Sequence, residues 1–245
     1  MRLSPYAQGT ASWLAARVGL ITGSRMCDVM AKPKRGTEEL ARRRDYRMEL
    51  ICERLTNRAA EHYVSRDMDF GTDNEPYARA AYEVMAETMV DEVGLALHPT
   101  MDFSGASADG LVGDSGAIEI KCPRTATHLE WRLAGVVPEE HQFQMHWVMA
   151  CCERLWVDFV SFDPRLPEGL RFFVKRLERD DKIIAEMEWE VMQFNAEIEE
   201  MCRKLGAPKW EPKVPALRSD EVVMVDNLAV PRDIADMLER SEIIP

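Results

Sequence analysis

Between residues 181 and 205 the apolar side chains Ile184, Met187, Val191, Phe194, Ile198, Met201 and Leu205 recur at alternating spacings of three and four. That is the period of one buried helical face, and it predicts the most regular amphipathic helix of the chain, packed on a sheet, with a coiled-coil seam over three heptads as the alternative, and stopped by Gly206 and Pro208. Two runs rich in Val, Phe and Trp, 155–162 and 170–177, flank the turn-forming Asp163-Pro164-Arg165-Leu166-Pro167-Glu168-Gly169 and predict a β-hairpin. A second hairpin is predicted where short apolar runs on either side of Gly113-Asp114-Ser115-Gly116 are joined by glycines able to take positive φ. Residues 93–97 read as a further strand.

The remaining pattern is helical. Trp13, Leu14, Val18, Leu20 and Ile21 suggest a helix within 11–30, with Thr22 or Ser24 capping its last part over 26–30. Further helices are expected over 38–54, from a cap at Asn74 to about 89, over 127–133, and from Pro138 at the first helical position to about 152. After residue 206 the composition changes: Pro208, Pro212 and Pro215 make an extended connector, followed by the apolar run 222–225 and a short acidic helix from about 231 to 240. The chain therefore divides into a domain of residues 1–206 and an extension, 207–245, suited to docking on a subunit or partner.

Composition narrows the function. A chain of 245 residues with 46% hydrophobic content can bury a substantial core. No apolar run approaches the roughly 20 residues of a membrane span, and no signal-type apolar segment opens the chain, so a cytoplasmic protein is expected. Its six cysteines form no C-x-x-C pair and read as reduced core thiols. The five histidines lack zinc-site spacing, and neither a G-x-S-x-G elbow nor a phosphate loop occurs. Thirty-one Lys and Arg against 43 Asp and Glu give a net charge of −12, which repels phosphates unless a local surface is basic. The best candidate for a nucleic-acid surface is 32–47, with Lys32, Lys34, Arg35, Arg42, Arg43, Arg44 and Arg47 against Glu38, Glu39 and Asp45. Lys32, Lys34 and Arg35 lead that stretch.

Candidate chemistry lies in the hairpin around Gly113. Asp109 sits near the start of its first strand, and Glu119 and Lys121, two apart on the second, project from one face while Ile118 and Ile120 point into a core. Two carboxylates with a backbone carbonyl, that of Ile120, form a hard oxygen site suited to Mg²⁺ or Mn²⁺, one ion or two. A lysine beside them positions an attacking water, and the product of such a site is a cleaved phosphodiester. The same E-x-K also occurs as a solvated strand face.

Asp109 with Glu119-Ile120-Lys121 resembles the PD-(D/E)xK signature of restriction-endonuclease-like nucleases, with Ala108 where the motif has proline. More narrowly, the chain resembles the bacteriophage lambda exonuclease family, also called YqaJ-type viral recombinases. The matching blocks are Trp13 to Arg17, Ile21-Thr22-Gly23-Ser24, Ala31-Lys32-Pro33, Gly71 to Tyr77, Ser107 to Leu111, Glu119 to Pro123, Gln142-x-Gln144 and Asp163-Pro164-Arg165, in the family's order. The resemblance implies an α/β, restriction-endonuclease-like fold with a central mixed β-sheet flanked by helices. It implies a Mg²⁺-dependent 5′→3′ exonuclease acting on linear double-stranded DNA, a ring-shaped homotrimer around the duplex, and a single-strand annealing protein as partner. By the same alignment Arg17, Ser24, Ser107 and Gln142 hold the terminal 5′-phosphate and Glu75 lies near the metal. From the residues alone, Arg17 is also readable as a surface arginine, Ser24 as a helix cap and Glu75 as a first-turn glutamate. Glu139 stands where the family often has tyrosine. A structure-specific or restriction-like endonuclease, and a non-catalytic DNA-binding assembly protein, are the alternatives.

Overall fold

The computed structural model describes residues 1–33, 36, 38–60 and 66–215, and the backbone of 217–218, 222–225 and 228–231. Strand β1 (Arg2–Leu3) is followed by helix α1 (Ala11–Arg17), whose first turn is capped by Thr10 Oγ1 accepting from the Trp13 N–H at 3.2 Å. The expected continuation of this helix fails at Gly19, which sits at φ +79° and turns the chain. Ile21–Thr22 is instead a strand, β2, parallel to Ser104–Gly105, and Thr22 makes no side-chain cap. A 3₁₀ turn, Gly23–Arg25, leads into the short α2 (Met26–Val29).

Helix α3 (Ala41–Thr56) ends at Asn57 in the left-handed region. Helix α4 (Arg66–Ala86) begins eight residues before the expected cap at Asn74 and carries Pro76 within it. Asn74 does not cap: its Nδ2 donates back to the Phe70 carbonyl at 2.8 Å, as Thr72 Oγ1 does to Met68 at 3.1 Å. The strands β3 (Ala96–Leu97), β4 (Ser104–Ala106), β5 (Gly110–Val112) and β6 (Gly116–Lys121) come next. Helix α5 (Thr125–Ala134) closes on Gly135, and Pro138 is the N-cap, one place before its expected position, of α6 (Glu139–Cys151). The predicted hairpin follows as β7 (Trp156–Phe162) and β8 (Phe172–Glu178), then α7 (Asp181–Lys204) and the short strands β9 (Leu217–Arg218), β10 (Val222–Val225) and β11 (Leu228–Pro231). The helix expected at 231–240 lies outside the described residues beyond Pro231, which ends β11.

The single central sheet expected is resolved into two mixed sheets, ordered β2-β4-β3-β1-β9 and β5-β6-β7-β8, with β10 and β11 as a separate ribbon. Between Ala106 and Gly110 side chains replace the ladder: Gln8 Nε2 donates to the carbonyls of Val93 and Ala108 at 2.9 and 2.6 Å. The chain therefore crosses from one sheet to the other at Asp109. Central strands β6 and β7 run parallel and are almost wholly buried, as expected of strands covered on both faces.

Helix α6 is buried without interruption from Met145 to Cys151. It is wedged between β4, β7 and α7. The apolar stripe of α7 is buried from Ile184 to Ile198 where the periodicity puts it, while Met201 is half-buried and Leu205, just past the helix, is exposed; its partners are helices α3 and α6 rather than a sheet. Tyr46 of α3 stacks on Phe194 with ring centroids 5.7 Å apart. Cys122, Cys151, Cys152 and Cys202 are buried free thiols, Cys27 is half-buried and Cys52 is exposed. Among the described residues no helix is long and apolar enough to cross a membrane.

Candidate active site

Hairpin β5–β6 pairs Gly110 with Ile118, which brings Asp109, one residue before β5, level with Glu119. Asp109 is fixed there because its Oδ2 accepts the Ile120 N–H at 2.7 Å. Along β6, Ile118 and Ile120 enter the apolar layer shared with Tyr82 and Val160, while Glu119 and Lys121 share the other face. On that face Lys121 Nζ donates to Glu119 Oε1. From α6, Gln144 Nε2 donates to the same oxygen at 2.6 Å. Glu119 is wholly buried, and its Oε2 has no hydrogen-bond partner among the described residues.

A third carboxylate arrives from α4. Glu75 is in the middle of that helix rather than its first turn, so the helix dipole does not account for it. Its Oε1 accepts from Arg79 Nη2 at 2.7 Å, and Arg79 Nε reaches the Asp109 carbonyl at 3.2 Å while Nη1 pairs with Glu92 at 2.9 Å.

Crowding and burial are visible in the proton affinities. Burial pushes Glu119 up to about 7, with Asp109 adding to the effect and Lys121 opposing it. Glu75 is likewise pushed up to about 7, by burial first and Asp109 second. Asp109 is raised by burial against the pull of Lys121. Burial lowers the Lys121 pKa, but Glu119, Asp109 and Glu75 together outweigh it and hold the ammonium protonated.

Among the described residues no three His, Cys, Asp or Glu side chains close on one point as a ready-made metal cage. Mg²⁺ does not need one, because it keeps several waters and takes one or two protein carboxylates. Asp109 and Glu119 supply that number. The unpartnered Glu119 Oε2 is the kind of buried anionic oxygen a hard cation satisfies, so these residues fit such an ion.

Next to the carboxylates is a cavity of about 170 Å³ whose lining includes Trp13, Arg17, Ser24, Ser107, Asp109 and Gln144. Arg17 stacks over the Trp13 ring at 4.1 Å, and Trp13 Nε1 donates to Ser107 Oγ at 3.1 Å. Burial lowers the Arg17 pKa, and its guanidinium forms no salt bridge among the described residues. The cavity thus joins Arg17, Ser24 and Ser107 to Asp109.

Gln142 does not line that cavity. Its Nε2 donates to the Val137 carbonyl at 2.9 Å, and residues two apart on a helix point about 160° from each other, so Gln144 takes the inward position. Gln144 belonged to the same sequence block, and Arg79 follows Glu75 at the i+4 spacing of a helical ion pair. Those were the signals for the two polar residues that motif assignment missed.

The basic stretch after residue 32 is largely spent on internal pairs. Lys32, 68% exposed at its side chain, pairs with Glu190 at 2.7 Å. Arg43 and Arg47 both pair with Glu39 and Glu197, tying α3 to α7, and Arg44 pairs with Asp45. Most of these cations are therefore not a free surface. Lys34 and Arg35 lie outside the described residues.

The family model of the YqaJ-like viral recombinase domain matches residues 12–154. A crystal structure of an alkaline exonuclease, LHK-Exo, from Laribacter hongkongensis is similar at 48% identity and TM-score 0.75, over 80% of this chain and 96% of that one. LHK-Exo in complex with dAMP is similar at 47% identity and TM-score 0.73, over 80% and 98%. A phage-related exonuclease from Haemophilus somnus 129PT shares the fold at 14% identity and TM-score 0.61, over 76% and 96%. No curated protein matches the chain. The family match spans more than half of the chain and takes in Arg17, Ser24, Glu75, Asp109, Glu119, Lys121 and Gln144. On these grounds the chain, with its restriction-endonuclease-like α/β fold, belongs to the YqaJ-like viral recombinase domain family.

Proposed function

We propose that the protein is a Mg²⁺-dependent exonuclease that degrades one strand of linear double-stranded DNA from a 5′-phosphorylated end. It releases 5′-mononucleotides and leaves a 3′ single-stranded overhang. The observation that carries this reading is that Asp109 lines the same cavity as Arg17, Ser24 and Ser107. A terminal phosphate held by the guanidinium and two hydroxyls would lie beside the carboxylates, with a scissile phosphodiester within their reach. The relative LHK-Exo is named an exonuclease, and one of its structures holds dAMP, a mononucleotide of the kind this reaction releases.

Asp109, Glu119 and the Ile120 carbonyl would hold the ion. When bound, Mg²⁺ or Mn²⁺ lowers the pKa of water and neutralises charge on the phosphate under attack. Lys121, kept protonated by its three carboxylate neighbours, orients the attacking water as a donor. Gln144 fixes Glu119 through its Oε1, and Arg79 holds Glu75 and the Asp109 backbone together. Lys32, exposed beside its Glu190 partner, with Lys34 and Arg35 close to it in sequence, contacts the duplex backbone by exchanging that carboxylate for phosphate, inside a ring of three chains whose exterior carries the excess negative charge. The 3′ strand then passes to a single-strand annealing protein.

The test is digestion, in Mg²⁺, of a linear duplex bearing a phosphate at one 5′ end and a hydroxyl at the other, beside a covalently closed circle. Mononucleotides released preferentially from the phosphorylated strand, with the circle intact, support the reading. Cutting of the circle makes the protein an endonuclease instead.

A further inference from the structure

The segment after α7 packs on the part of the chain that carries the phosphate-holding residues. Trp210 and Val214 lie against Leu20, Leu95 and Leu97. Leu20 is next to Gly19, the hinge between α1, which bears Trp13 and Arg17, and the turn bearing Ser24. Both backbone polar groups of Gly19 are held by α3: its N–H donates to Glu53 Oε2 at 2.7 Å and its carbonyl accepts from Arg54 Nε at 2.9 Å.

Trp210 closes the remaining side. The Arg54 guanidinium lies 4.3 Å from the Trp210 ring centroid, and a Cβ on Gly19 would come within 2.8 Å of Trp210 Cε2 and Cζ2. Arg54 is buried, and its Nη1 and Nη2 find no hydrogen-bond partner among the described residues. The aromatic face is what receives that charge. With the ring gone, water would compete for the guanidinium and the Gly19 carbonyl would lose its donor.

We infer that Trp210 is a positioning residue for the end-phosphate pocket, acting through Arg54 and Gly19 to set Arg17 against Ser24. This rests on the reading of Arg17, Ser24 and Ser107 as the phosphate pocket. The carboxylates come from the residue before β5, from β6 and from α4, and none is hydrogen-bonded to Trp210, Arg54 or Gly19, so the device governs end recognition and leaves the chemical step alone. It also gives residues 207–215 a role within their own chain.

The experiment compares wild type, Trp210→Leu and Trp210→Phe on duplexes with phosphate or hydroxyl 5′ ends, in Mg²⁺, at a temperature where circular dichroism shows each protein folded. Leu keeps the apolar cover and removes the π face; Phe keeps both. Trp210→Leu is expected to raise KM for the phosphorylated end roughly tenfold, with kcat within about twofold of wild type and a reduced phosphate-over-hydroxyl preference, and Trp210→Phe to restore most of both. A wild type that discriminates the ends beside a Trp210→Leu protein that discriminates them equally overturns the inference alone. A wild type that ignores the end group removes the phosphate pocket, and the inference with it.

Discussion

Arg79 grips Glu75 one helical turn away, Nη2 to Oε1 at 2.7 Å, while its Nε holds the backbone carbonyl of Asp109 at 3.2 Å. One guanidinium thus ties the α4 carboxylate to the residue where the chain passes between the two sheets. Arg79→Ala is expected to raise the Mg²⁺ concentration for half-maximal cleavage about tenfold and to weaken Mg²⁺ binding measured by calorimetry without DNA by a similar factor. Arg79→Lys, which cannot span both acceptors, should recover only part of this. Unchanged Mg²⁺ affinity in Arg79→Ala would show that the bridge is structural.

Gln144 and Gln142 provide an internal control on one helix. Gln144→Ala removes a donor from Glu119 and should lower kcat about tenfold or more with duplex affinity nearly unchanged. Gln142→Ala loses a bond to the Val137 carbonyl and should cost roughly 1 kcal/mol of stability with a smaller effect on kcat. The reverse pattern, measured by single-turnover kinetics and urea unfolding, would return Gln142 to the site.

Glu119 and Glu75 hold their protons up to about 7 in the folded chain, against 4.5 for an ordinary glutamate. Between those values the folded state binds more protons than the unfolded state, so these two groups make metal-free stability fall as pH rises from about 4.5 through about 7. Urea midpoints in EDTA should therefore decline across this window more steeply for wild type than for Glu119→Gln. Saturating Mg²⁺ should lift the wild-type values most at the alkaline end, where the carboxylates are ionised. Identical slopes for wild type and Glu119→Gln would remove Glu119 as the cause.

Arg43 and Arg47 are claimed by Glu39 and Glu197. Replacing both arginines by Ala should cost stability, by roughly 2 kcal/mol for loss of the charged hydrogen bonds, and should leave the slope of log affinity for duplex against log salt unchanged. A slope reduced by one or two would place these arginines on the phosphates after all.

The elements that can be read from local pattern are those whose signals are local. Hairpin β5–β6 follows from turn glycines and a period of two, and α7 from its spacing of three and four. The places that mislead are decided by distant partners. Ile21–Thr22 is a strand because residues 104–105 pair with it, more than eighty positions later in the chain. Asn74-Glu75-Pro76 looks like a helix start, yet Asn74 bonds backwards inside α4. The choice between Gln142 and Gln144 depends on the rotation of α6, and a helix buried all round from Met145 carries no apolar face from which to read that phase. In the basic run, positive charge is legible in sequence and its neutralisation by Glu197 is not, since the partner lies on another helix.

If Asp109, Glu119 and Lys121 form the cutting centre, as proposed, Lys121→Ala removes the group that orients the water. Cleavage of a 5′-phosphorylated linear duplex in Mg²⁺ is measured under single-turnover conditions, alongside duplex affinity in Ca²⁺ and the circular dichroism spectrum. A fall in cleavage rate of about 10³-fold or more is expected, with affinity and fold close to wild type. Cleavage within tenfold of wild type would contradict it.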